Sequence, residues 1–193
     1  MKTLNIKLLM ILLIALGFIP SCSKDEKKVS PYVGNYVLDE ALVAEAFNVP
    51  VTGLGDIPVA VGVPITEGVQ TALLSAVSCT SADKTYVELR KNFSLYMSCE
   101  GANPLNAGTW TEVSETELLL NLNSTAVPTA PTGIVLSVSD VALNSGILTG
   151  ITSVPLPKIM IQAILTAINP ALILDPSAPD IFVIKISLSF IKK

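Results

Sequence analysis

The chain has 193 residues, a formal charge of −4, 50% apolar residues and only 15% charged ones, with a mean hydropathy of +0.61. It contains no histidine, which excludes a Ser-His-Asp triad, a Cys-His pair and every histidine-containing zinc site. Its 12 basic residues form no stripe against its 16 acidic ones, so no nucleic-acid partner is expected.

Lys2 and Lys7 flank the start of an apolar run, Leu8 to Leu16, that continues through Phe18, Ile19 and Pro20. A basic start, a short apolar core and small residues before a cut make a secretory signal peptide. The core falls short of the ~20 apolar residues a bilayer span needs; a transmembrane anchor is the alternative reading. Ile19-Pro20-Ser21-Cys22 resembles the lipobox of bacterial lipoproteins. The resemblance implies cleavage before Cys22, acylation of that cysteine and attachment to a membrane through its lipid. Each buried methylene adds ~0.8 kcal/mol, so two or three chains hold a soluble domain durably. Residues 1–21 therefore read as signal peptide and 22–30 as a lipidated tether. Ser23-Lys24-Asp25-Glu26-Lys27-Lys28 reads by composition as a solvated spacer. Lys-Asp-Glu after the cysteine also looks like the export signal of Bacteroidota lipoproteins. That resemblance implies the outer membrane and exposure at the cell surface.

Removing 21 residues from 193 leaves 172, which suits one domain, 31–193, with a full core. Lys2 and Lys7 leave with the signal, so ten basic residues face sixteen acidic ones and the mature charge is −6. Of the three cysteines, lipidation consumes Cys22. Cys79 and Cys99 remain to pair in an oxidising compartment. A bridge closing a loop of about 20 residues gives ~3 kcal/mol in the chain-entropy model; two buried free thiols are the alternative.

In chain order, Pro31 to Leu38 is aromatic and β-branched and reads as a strand. Asn48-Val49-Pro50 and Thr52 to Pro58 are turn-rich, and Val59 to Pro64 is apolar and extended. Thr66 is placed to cap a helix running to about Val77, with Val69, Leu73, Ala76 and Val77 on one face. Tyr86 to Leu89 is a short strand and Arg90-Lys91-Asn92 a turn. Phe93, Leu95, Met97 and Cys99 then alternate with polar residues, which places all four on one inward face. Gly108 to Val113 and Glu117 to Leu122 are further strands. A Pro/Thr/Ala linker, Ser124 to Thr132, leads to an alternating pair, Ile134 to Val141 and Ile147 to Ile151. Lys158 to Ile168 is apolar around most of its girth, as expected of a buried helix, and Phe182 to Phe190 is a last alternating strand. Short turns make the sheet mostly antiparallel, and about eight strands favour a small closed barrel.

Gly34-Asn35-Tyr36, then Cys79, the hairpin Tyr86 to Met97, Cys99 and Gly108-Thr109-Trp110 resemble, in this order, the lipocalin-like domains of Bacteroidota lipoproteins. The resemblance implies a mainly β fold, an antiparallel lipocalin-like β-barrel carrying two helical inserts. An α+β sheet wrapped on a long apolar helix, as in tubular lipid-binding folds, is the alternative. Barrel mouths and helix–sheet clefts are common ligand sites, so a small apolar or lipid-like ligand is the first functional expectation. Val69, Leu73, Trp110, Ile159 and Leu165 are its candidate lining residues. A non-catalytic structural or adhesion module that recognises a protein or glycan is the second. The acids are scattered, and no Gly-rich phosphate loop or Asp-rich calcium loop occurs. No catalytic residue, metal site or cofactor is expected.

Overall fold

The computed structural model describes residues 29–127 and 132–193. Residues 1–21, read above as a signal peptide, together with Cys22 and residues 23–28 of the expected tether, lie outside the described residues.

The protein is mainly β. Strand β1 is Gly34–Val43, followed by a small hairpin, β2 (Phe47–Val51) and β3 (Gly55–Val59), and helix α1 (Thr66–Val77). Strands β4 (Thr85–Leu89), β5 (Ser94–Cys99), β6 (Leu105–Ser114), β7 (Glu117–Leu122), β8 (Ile134–Asn144) and β9 (Ile147–Pro157) follow. Helix α2 (Lys158–Ile168) then leads to β10 (Ile181–Lys192). Eight strands close an antiparallel barrel in the order β1-β10-β9-β8-β7-β6-β5-β4, and β2 pairs β3 apart from it. The barrel is consistent with a lipocalin-like fold. Neither helix is enclosed by the sheet, so the wrapped-helix alternative is set aside: the strands bury their inward faces against one another.

The barrel walls differ in height. β4 pairs β1 only over Gly34–Tyr36, and β8 pairs β9 only as far as Thr152, whereas β9 and β10 stay paired up to Pro157 and Ile181. Three long strands, β1, β10 and β9, therefore rise above the closed barrel. Their inward face needs its own cover. The barrel core holds Tyr36, Leu89, Leu95, Trp110, Leu118 and Leu148. The upper core joins Ala41, Val43, Leu156 and Ile184 to Val49 and Val59 of the hairpin and Ile161 and Leu165 of α2. A bulge between Leu38 and Glu40 switches the inward parity of β1. Glu40 stays exposed while Ala41 and Val43 turn inward.

Where β4 ends, residues 62–66 cover the bare edge of β1. Val43 N–H donates to Val63 O (3.0 Å) and Gly62 N–H to Val43 O (2.8 Å). Thr66 Oγ1 accepts from Ala41 N–H (3.0 Å) and donates to Ala41 O (3.2 Å). This corrects the capping role expected of Thr66. Its residue is the first of the helix, Ile65 is the N-cap, and no side chain caps it. The free edge of β1 competes for the same hydroxyl.

Three further expectations are corrected. The turn-rich stretch 48–58 forms the β2–β3 hairpin, in which Asn48 faces Pro58 and Pro50 faces Asp56. A two-stranded ribbon has only edges, where proline costs no ladder bond. Phe93 does not join Leu95 and Met97 inside. It precedes β5 at φ 63°, is 47% exposed, and lies against Trp110 with ring centroids 5.2 Å apart. Helix α2 is not buried all round: only Ile161 and Leu165 are fully buried, and Ile159 is 77% exposed.

Candidate functional site

The two helices lie over the upper end of the barrel, and a cleft opens between them. It measures about 710 Å³, within the range of small-molecule sites. Its walls are the face of α1 carrying Gly68, Val69 and Ala72 and the face of α2 carrying Ile159, Ala163 and Ile164. Pro64, Ile65 and Leu156 also line it. Small residues make the room. A Cβ at Gly68 would stand 3.3 Å from Met160 Cε, and Ala72, Ala163 and Ala167 continue the gap.

The walls are held differently. Helix α2 sinks Ile161 and Leu165 into the upper core. Gln162 fastens it by donating to Leu172 O (2.9 Å) and accepting from Leu174 N–H (2.7 Å). Lys158 Nζ donates to Pro176 O (2.7 Å) and Ala178 O (3.1 Å). Helix α1 has no fully buried residue; Leu73, Ala76 and Val77 pack half-buried on the barrel core. At its far end, past Ser78 in the left-handed conformation, Cys79 is joined to Cys99 of β5 by a disulfide with Cα atoms 5.4 Å apart. The bridge ties the weaker wall to the barrel.

Chemically the cleft offers contact area and little directed polarity. Glu67 is the one ionisable side chain on its lining. Thr71 Oγ1 donates to Glu67 O (2.8 Å) and Ser75 Oγ to Thr71 O (2.8 Å), so these lining hydroxyls are spent on their own helix. Such a surface selects by shape and apolar area.

The barrel interior is different. Its remaining space is about 90 Å³ and wholly apolar, bounded by Tyr36, Leu120, Val138, Leu188 and Phe190 among others. That is below the ~300 Å³ of a ligand pocket, so the barrel is packed as a core.

Of the candidate lining residues, Val69 and Ile159 face the cleft, and the other three lie elsewhere. Leu165 is fully buried in the upper core, on the side of α2 away from the cleft. Leu73 points down onto the barrel core. Trp110 is fully buried in that core, and its Nε1–H donates to Arg90 O (3.1 Å). Large apolar residues are the ones a core takes. The missed residues, Gly68, Ala72, Ala163 and Ala167, are small; their recurrence at spacing four on each helix was the available signal.

The lower end of the barrel is plugged. Tyr32 donates its hydroxyl proton to Glu115 O, and Tyr36 donates to Tyr32 O (2.7 Å). Burial, with a smaller contribution from neighbouring Tyr32, pushes the Tyr36 hydroxyl up to about 12. Burial first, then Glu112 and Glu115, also raises Tyr32.

Among the described residues, no helix is long and apolar enough to cross a membrane, and no cluster of three or more His, Cys, Asp or Glu side chains is arranged to hold a metal. No protein-family model and no curated protein sequence matches the chain.

Proposed function

We propose that this protein is a lipid-anchored lipoprotein of the Bacteroidota type whose barrel domain carries a small apolar or lipid-like ligand in the cleft between α1 and α2. The observation that carries this reading is the contrast in space: about 710 Å³ between the helices against about 90 Å³ inside the barrel. The barrel serves as a rigid stand, and the inserts make the site. The role is non-catalytic binding, at the outer membrane, with attachment through acylated Cys22. The support for the anchor is the lipobox, Ile19 to Cys22, behind a short apolar run.

The test is uptake of a lipophilic fluorescent probe by the purified protein, followed by native mass spectrometry of protein from its own host. Ala163→Trp places a bulky ring on the cleft wall, at an exposed helix position, and is expected to abolish uptake while leaving the melting curve nearly unchanged. Equal uptake by the parent and Ala163→Trp overturns the cleft as the site. A second reading, a surface that recognises a protein partner, is favoured by Leu54, Val61, Ile173, Ile181 and Val183, all at least 60% exposed at the cap end. Absence of probe uptake and of any co-purified small molecule would favour it.

A further inference from the structure

The N-terminal entry and the cleft lie at opposite ends of the barrel. The described chain begins at Val29 beside the end of β10. Lys192 Nζ donates to Pro31 O (3.2 Å), Lys193 N–H donates to Asn35 O (2.9 Å), and Tyr32 reaches Glu115 in the β6–β7 turn. Because neighbouring strands are antiparallel, the β4–β5, β6–β7 and β8–β9 turns share this lower end. The cleft covers the opposite ends of β1, β9 and β10.

We propose that the lower end of the barrel rests on the phospholipid headgroups of the bilayer that holds Cys22, and that the cleft is thereby presented to the aqueous medium. The ligand then exchanges with a carrier or solute on the far side, not with the anchoring bilayer. This rests on Cys22 being the anchor.

Chain length restricts the alternatives. Seven residue steps separate Cys22 from Val29, a reach of about 24 Å at full extension. Strand β10 has 12 residues; at ~3.3 Å per residue and a tilt near 40° it spans about 30 Å along the barrel axis. An inverted barrel, cleft against the bilayer, would lift Val29 about 30 Å above the headgroups, beyond that reach. The lower end also has side chains that suit a headgroup layer. Phe93 is 47% exposed, Val113 55% and Val29 49%, and Lys91 and Lys193 are exposed with them. Apolar bodies beside lysine heads fit the boundary between acyl chains and phosphates. Glu88 at this end is paired with Arg90 (2.7 Å), and Glu112, Glu115 and Glu117 are the acids around the β6–β7 turn. At the upper end Lys185 is paired with Glu45 (3.5 Å) and Lys158 is occupied by two carbonyls.

The experiment uses the full chain, produced and acylated in a bacterial host, then reconstituted into phosphatidylglycerol-containing vesicles doped with a brominated lipid. Tryptophan reports depth, with buried Trp110 as a constant background. Val113→Trp and, as a second lower-end reporter, Ile147→Trp are expected to lose emission to the brominated lipid. Leu54→Trp, at the tip of the upper hairpin, is expected to lose none. Loss of emission from Leu54→Trp equal to that from Val113→Trp overturns the orientation, as does a vesicle-bound protein in which neither lower reporter is quenched. Flotation of the vesicles separates the two failures: a protein that does not float with them overturns the anchor itself, and this proposal with it.

Discussion

At the scale of single residues, the structure turns on groups whose partners are fixed by the fold. Gly108 has φ 139°, and a Cβ there would stand 1.9 Å from Asn121 O, backbone that cannot yield. Gly108→Ala is expected to destabilise by about 2–4 kcal/mol, read as a lower urea midpoint; an unchanged midpoint would show that β6 and β7 can part there. Thr152, 2% exposed, keeps a hydroxyl with no hydrogen-bond partner among the described residues. Valine has the same shape without the hydroxyl, so Thr152→Val is expected to raise stability by about 1 kcal/mol, measured by thermal melting. Tyr36 sets an alkaline limit. Its folded value near 12 lies above its ordinary value of 10.0, so the folded state holds that proton more tightly. The stability it contributes is complete below pH 10 and is lost as pH rises from 10 towards 12. Tyr36→Phe is expected to flatten this decline in urea titrations run across that window, at a cost of about 1 kcal/mol near neutrality for the bond to Tyr32.

Among the elements, the two helices are similar in length but unequal in attachment. Both matched their sequence pattern, at Thr66–Val77 and Lys158–Ile168, because a periodicity of 3.6 is a local property. Which face each helix would bury was not local. On α1 the face of Val69, Leu73, Ala76 and Val77 does meet the cores. On α2 the apolar residues exceed one face, and only packing selects Ile161 and Leu165 for burial. The disulfide matters most to α1, which lacks a buried residue of its own. Replacing Cys79 and Cys99 together by serine is expected to cost ~3 kcal/mol in the chain-entropy model. Probe uptake is expected to weaken with it, since one wall of the cleft is then held mainly by Thr66 and a half-buried face. Retained stability together with retained uptake would assign the bridge no structural role.

For the molecule as a whole, unequal strand lengths create the cap and the cap creates the cleft. An eight-stranded barrel of equal strands has an interior just wide enough for side chains, and this one is filled by them. The three tall strands add an apolar face above it, which the hairpin and α2 cover. The helices then meet through small residues that leave their facing surfaces apart. Filling the residual space inside the barrel therefore should not touch ligand uptake. Leu120→Phe, at the wall of the 90 Å³ cavity, is expected to leave probe uptake unchanged; loss of uptake with the fold intact would move the site into the barrel.

The sequence by itself determined the strands of the barrel, their antiparallel order and both helices, since alternation, helical periodicity and short turns are written in neighbouring residues. It also determined the pairing of Cys79 with Cys99, once one cysteine of three was assigned elsewhere. The tertiary structure alone decided the rest. The β2–β3 hairpin was hidden by its prolines, which an isolated ribbon tolerates. Thr66 was diverted from capping by a strand edge 25 residues away. Phe93 was sent outward by a positive φ that ended the alternation before it. The cleft depended on where Gly68, Ala72, Ala163 and Ala167 face across a gap. Two segments nearly a hundred residues apart must be brought together before small side chains become a cavity, and no local pattern carries that distance.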